Sequence, residues 1–388
     1  MVHFGTTAVG EVLRTLHGGG DLTGSRAGAL QPGEVQYLCD VGLGPVAWSL
    51  FENGRLGVAS ECREVLQGAE LTTRLIYRKM ASAAAELVDE LSSAGVVPVL
   101  IKGISISDQY YDPPHHRVMG DVDILVDDRE LEPAASVMNR LRYAAVEPKA
   151  PDAAQWDHHH LPAARHPDSG VVVELHTGLF PPGSRAASVP LFQAPAFRGR
   201  LCESEFRERK VFRFTPEFQF AYTVAHWAGD RKWPSNVISI NDALHIIHHS
   251  AGFDWQLIDA WMRESDWLAA GISVMLRYLI DCGLIPPAPV VQDNLQHHVR
   301  KLGRTNLSFL EWLLHAIPVG GRRPVGGALA PDRALLVWRT MLQPRSRYAR
   351  IPCCIGKAMF RKRVRDRFNP LVLMRKLRKL ARPKLHDE

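Results

Sequence analysis

With 388 residues, 46% hydrophobic and 23% charged, the chain can bury a sizeable core, which excludes a disordered or low-complexity polypeptide. No run approaches the ~18 uninterrupted apolar residues of a membrane-spanning helix, and residues 1–5 lack the basic and apolar regions of a signal peptide. The net charge of +6 is uneven: residues 345–388 hold 15 Lys and Arg against 3 Asp and Glu, leaving 32 basic and 38 acidic residues elsewhere, so no DNA is expected at the body of the protein.

In chain order, the glycine-rich residues 1–33 read as a loose N-terminus with one short helix near 9–16. Helices are expected over 34–51 and 62–93. The second carries Leu71, Leu75, Ile76, Met80, Leu87, Val88 and Leu91 close to a helical period and ends at Ala94-Gly95. Strands and helices then alternate. Residues 96–101 form a strand, Lys102-Gly103 a turn, 104–111 a helix stopped by Asp112-Pro-Pro114, and 122–126 a second strand. A helix follows over 129–141, then strands over 143–147 and 171–176, with another at 210–214. From Thr215 the pattern is almost wholly helical, with helices at 217–228, 237–249, 255–264, 268–280, 306–315 and 333–342. The runs 286–289 and 318–331, rich in proline and glycine, read as connectors. The fold class is α+β: a small mixed sheet over 96–214, an N-terminal helical segment over 34–95 and a helical region over 215–344. The six cysteines show no CxxC pair and fit reduced thiols in a cytosol.

The chemistry concentrates in three places. Asp121 and Asp123 stand two residues apart at the start of an apolar run, so they share one face of a strand and repel unless a cation lies between them. A divalent ion such as Mg²⁺ is the commonest answer. Glu174 and His176 share a face of a later strand by the same period. Lys102-Gly103 makes a strand-to-helix turn of the kind that points backbone N–H groups at an anion. His176 reads equally as a phosphate contact, a metal ligand, a support for Glu174 or a structural histidine. The run His158-His-His160 invites a zinc reading, but successive strand residues point to opposite faces and chelate poorly together.

The combination Lys102-Gly103…Tyr111-Asp-Pro…Arg117-x-Met-Gly-Asp121-x-Asp123-x-Leu-Val126, then Val173-Glu-Leu-His176, resembles the uncharacterised nucleotidyltransferase family of the family 5 type, in the polymerase-β-like nucleotidyltransferase superfamily. The likeness continues through Phe214-Thr-Pro-Glu217…His226 and Ile240-Asn-Asp242-Ala-Leu244…Phe253-Asp-Trp255, and covers roughly residues 35–285. The resemblance implies transfer of an NMP group from an NTP, with ATP expected, to an acceptor hydroxyl, with Mg²⁺ (or Mn²⁺) as cofactor. Asp121, Asp123 and Glu174 would be the catalytic metal-binding acids, Glu174 alternatively the base. Lys102, Gly103, Ser105, Arg117 and His176 would bind the nucleotide, and His226 would face the cleft. The sequence departs from the superfamily in having Ile104 directly after the glycine, in a long gap between Gly103 and Asp121, and in a glutamate as third acid.

The acceptor is not specified, and a role as a biosynthetic tailoring enzyme is analogy at family level. The competing readings are a Mn²⁺-dependent glycosyltransferase holding a nucleotide sugar through Asp-x-Asp, and a non-catalytic nucleotide-binding scaffold. The basic tail 345–388 interleaves Leu373, Leu377 and Leu380 with Lys376, Arg378 and Lys379, a pattern that suits an anionic membrane surface or RNA as well as a solvated tail. The expected location is cytoplasmic, peripheral at a membrane if the tail binds one.

Overall fold

The structure is a computed structural model that describes residues 8–18, 28–146, 159–229 and 235–303. The helices expected at 306–315 and 333–342, His158 and the basic tail lie outside the described residues.

Among the described residues the first helices are α1 (Ala8–His17), α2 (Pro32–Asp40) and α3 (Gly44–Glu52). The single helix expected over 34–51 is thus two, because Gly42 adopts φ +80° and Pro45 fits the first turn of the next helix. The long α4 (Arg63–Ser93) follows, burying Met80, Ala84, Leu87, Val88 and Leu91 along one stripe. It stops where Gly95 takes φ +75° and the Val96 N–H returns to the Leu91 carbonyl, a glycine-dependent helix end.

The strands are β1 (Val99–Ile101), β2 (Val122–Leu125), β3 (Ala144–Ala145), β4 (Ala164–Arg165), β5 (Val172–His176), β6 (Leu201–Phe206) and β7 (Arg209–Phe214). They form one mixed seven-stranded sheet in the order β3-β4-β5-β2-β1-β7-β6. At its centre β2 runs antiparallel to β1 and parallel to β5. Helix α5 (Lys102–Tyr110) leaves β1 without a loop, α6 (Leu131–Arg140) follows β2, and the short α7 (Ala194–Arg198) precedes β6. Then come α8 (Pro216–Gly229), α9 (Ser235–His249), α10 (Trp255–Glu264), α11 (Asp266–Asp281) and α12 (Pro289–Leu302). Asp254 caps α10 by accepting from the Gln256 and Leu257 amides, and Ser265 caps α11 through the Leu268 amide.

Strand alternation sorts the side chains into two cores. Leu100, Val122, Ile124, Val173, Leu175 and Val211 face a core closed by α4 and α6. Val99, Ile101, Leu125 and Phe214 face the larger core, shared by α1–α3 with the helices after Thr215. Asp123, between Val122 and Ile124, therefore projects toward the larger core's side of the sheet.

Candidate active site

Asp123 is the centre of the site. It lies in β2, 2% exposed, with Glu174 of β5 as its register partner on one side and Ile101 of β1 on the other. Because β2 and β5 are parallel and in register, their acids stand side by side on one face. His176, two residues beyond Glu174 and fully buried, shares that face, and its Nε2 donates to Asp123 Oδ1 at 2.8 Å. The same nitrogen is 3.4 Å from Glu174 Oε2. Ligand atoms of Asp123, Glu174 and His176 all lie within 4.8 Å of one another, the one group among the described residues with such spacing.

Lys102 enters from the β1 end of the sheet. It directly follows Ile101, the register partner of Asp123, with φ +49°, a conformation a lysine rarely adopts. The turn places its ammonium 2.7 Å from Asp123 Oδ1 and 3.4 Å from His176 Nε2. Burial alone would favour the neutral amine, but the Asp123 carboxylate outweighs it and holds Lys102 firmly protonated. Burial likewise opposes charge on Asp123, yet Lys102 and His176 together keep its carboxyl well below the usual range.

Asp121 differs. It precedes β2 and is half-buried, with the Lys102 and Arg117 charges only partly offsetting its burial. Burial, then the charges of Asp123 and Glu174, push its carboxyl up to about 6. Glu174, the most solvent-facing of the strand pair, is drawn below its ordinary value first by the His176 hydrogen bond. Among the described residues, the donor atoms that come together are the Asp123 and Glu174 carboxylates, of the kind that suit Mg²⁺ or Mn²⁺, and the His176 imidazole; Asp121 lies outside that group. Ligation through His176 Nε2 requires its proton on Nδ1, a buried nitrogen without a hydrogen-bond partner among the described residues.

The other residues expected at the turn have different surroundings. The room that Gly103 leaves is taken by the chain itself: a Cβ there would lie 2.8 Å from an Arg117 guanidinium nitrogen and 3.2 Å from Met119 Sδ. Ser105 is fully buried in α5 and its hydroxyl donates to Gln109 Oε1 at 3.3 Å. Arg117 is clamped by α9, with Nε and one terminal nitrogen each 2.8 Å from an oxygen of Asp242. The Arg117 guanidinium is thus engaged within the protein. Tyr111 donates to the same Asp242 at 2.8 Å, Asn241 donates to the Tyr111 hydroxyl at 3.1 Å, and His17 of α1 meets Asn241 Oδ1 at 3.1 Å.

His226 of α8 packs against Tyr222 and Phe180, with ring centroids 4.6 and 4.7 Å away. Its Nε2 is buried with no hydrogen-bond partner among the described residues, and burial, then the Lys102 charge, hold the imidazole well below its usual pKa, so it is neutral. Two further groups lie beside the site. Tyr222 is buried close enough to Lys102, Asp123 and Glu174 to feel their charges. His159 lies 5.3 Å ring to ring from His176, with His160 at 5.1 Å, as neighbours that pack rather than chelate. The local signal for His159 was the histidine run itself, which adjacency alone could not assign.

No curated protein matches the chain. Among solved structures it is similar to an antigenic nucleotidyltransferase-like protein from Paracoccidioides brasiliensis, at 16% identity and TM-score 0.37, over 56% of this chain and 93% of that one. The family described as Uncharacterised nucleotidyltransferase matches residues 38–278, a span that contains Lys102, both aspartates, Glu174, His176 and Asp242. The chain belongs to that family.

Proposed function

We propose that this protein transfers an NMP group from an NTP, ATP being the expected donor, to a hydroxyl acceptor in a reaction dependent on Mg²⁺ or Mn²⁺. One observation carries this reading: Asp123 and Glu174 are register partners on adjacent parallel strands, with His176 one pleat later on the same face and the donor atoms of all three within 4.8 Å of one another. Asp121, Asp123 and Glu174 would hold the divalent cations. When bound, such ions supply charge stabilisation to the entering and leaving oxygens of an in-line displacement at phosphorus. Glu174, the acid most open to solvent on the strand pair, takes the acceptor's proton as the new P–O bond forms and the bond to pyrophosphate breaks. Lys102 supplies positive charge for the triphosphate, and Arg117, fixed by Asp242, shapes the turn from beneath Gly103.

The test is incubation with each NTP, Mg²⁺ or Mn²⁺ and candidate acceptors, read by pyrophosphate release and intact mass. Asp121→Ala and Asp123→Ala, with folding retained, are expected to abolish product. Unchanged turnover in both overturns the assignment, and transfer of a sugar from a nucleotide sugar would favour the glycosyltransferase reading.

A further inference from the structure

We propose that the Lys102 ammonium is the resident cation of the acid group while no metal is bound, and that nucleotide phosphates draw it off Asp123, so that metal and nucleotide bind as a coupled pair. This rests on the nucleotidyltransferase reading and adds an order of events to it.

The argument is one of shared atoms. Asp123 Oδ1 accepts from both Lys102, at 2.7 Å, and His176, at 2.8 Å. Asp123, Glu174 and His176 are also the three residues whose donor atoms come within 4.8 Å of one another. A divalent ion bound through that oxygen and His176 Nε2 would share both atoms with an ammonium 2.7 and 3.4 Å from them. Two cations so close repel by several kcal/mol even at an effective dielectric of about 20. One must leave, and the lysine can. Its charge rides on a flexible four-carbon stem and its side chain is 25% exposed. Arg117, the guanidinium beneath the same turn, is held by two bonds to Asp242 and cannot substitute. A triphosphate is the natural destination for the displaced ammonium, since a bound nucleotide brings its own anions to the site.

The experiment uses the full-length protein and measures Mn²⁺ binding by electron paramagnetic resonance, with and without a non-hydrolysable ATP analogue. In the wild type, Mn²⁺ alone is expected to bind weakly and the analogue to tighten it strongly. In Lys102→Met, Mn²⁺ alone should bind at least about tenfold more tightly, and the analogue should add much less. The variant should also melt lower than wild type without metal and gain more from Mn²⁺. Equal or weaker Mn²⁺ binding by the variant overturns the proposal while leaving the nucleotidyltransferase reading standing. A measurement on the wild type covers the case in which the variant fails to fold. Acetylation of Lys102 by an amine-reactive reagent, read by peptide mass, should rise several-fold when Mn²⁺ is added alone, and unchanged labelling overturns displacement. Absence of Mn²⁺ binding in both proteins, with and without the analogue, removes the nucleotidyltransferase reading and the proposal with it.

Discussion

Arg117 and Asp242, 125 residues apart in the chain, close a two-bond fork of 2.8 Å each between the turn before β2 and helix α9. Both side chains are nearly buried, at 12% and 3% exposure, so neither can fall back on water. Asp242→Ala leaves a buried guanidinium unpaired and is expected to cost roughly 3–5 kcal/mol in chemical denaturation. The double variant Arg117→Met with Asp242→Leu should be less destabilised than the sum of the singles. Strict additivity would show that the fork is not an energetic unit.

Gly103 sits against that fork. An added methyl would lie 2.8 Å from Arg117, whose end is pinned and cannot swing away. Gly103→Ala should therefore destabilise the protein by about 1–3 kcal/mol through overpacking. Combining it with Arg117→Met, which frees the space, should recover part of the loss. A melting curve for each variant checks this.

The raised carboxyl of Asp121 sets a pH dependence. Its value of about 6 in the folded protein, against 3.8 for the free group, means the folded state binds more protons between those values. Stability of the metal-free protein should then fall as pH rises from about 4 to 6. Asp121→Asn removes the partly offset charge and should stabilise the metal-free protein above pH 6, by up to roughly 3 kcal/mol. The gain should vanish below about pH 4. A variant equally stabilised at both ends would place the effect elsewhere.

His176 links Asp123 to Glu174. His176→Ala should lower Mn²⁺ affinity by about 10–100-fold, as loss of a ligand or of its oriented support does, while Asp121 and both strand acids remain. Binding isotherms with the variant unfolded less than 5% by circular dichroism (a practical threshold of roughly that size, given normal stabilities) would check it. Unaltered affinity would confine His176 to packing.

Asp123 and the Glu174-x-His176 pair were legible because strand alternation is a local rule that announces a shared face within three residues, although Asp121 stands before β2 and outside their group. Their meeting was legible only through the resemblance, since nothing local pairs β2 with β5. The turn was read less well. Gly103 looks like an opening for an anion, but it accommodates Arg117, and that contact depends on an aspartate far along the chain. Helix α12 was missed because Pro286–Pro289 was read as a connector, when Pro289 is the helix's first residue. Strand β6 was missed because Glu203, Ser204 and Glu205 look like a loop, yet they pair with β7 at the edge of the sheet, where polar residues are tolerated.

The larger core has a practical consequence for anyone shortening the chain. A fragment cut at the family's own limits, residues 38–278, would begin inside α2, end inside α11 and discard α1 and α12. Val9, Val12 and Leu13 from one end, and Leu284, Val291 and Leu295 from the other, belong to the same apolar interior as the helices between them. What heredity marks as the family and what solvent recognises as a closed body are different lengths, and a soluble fragment has to respect the second.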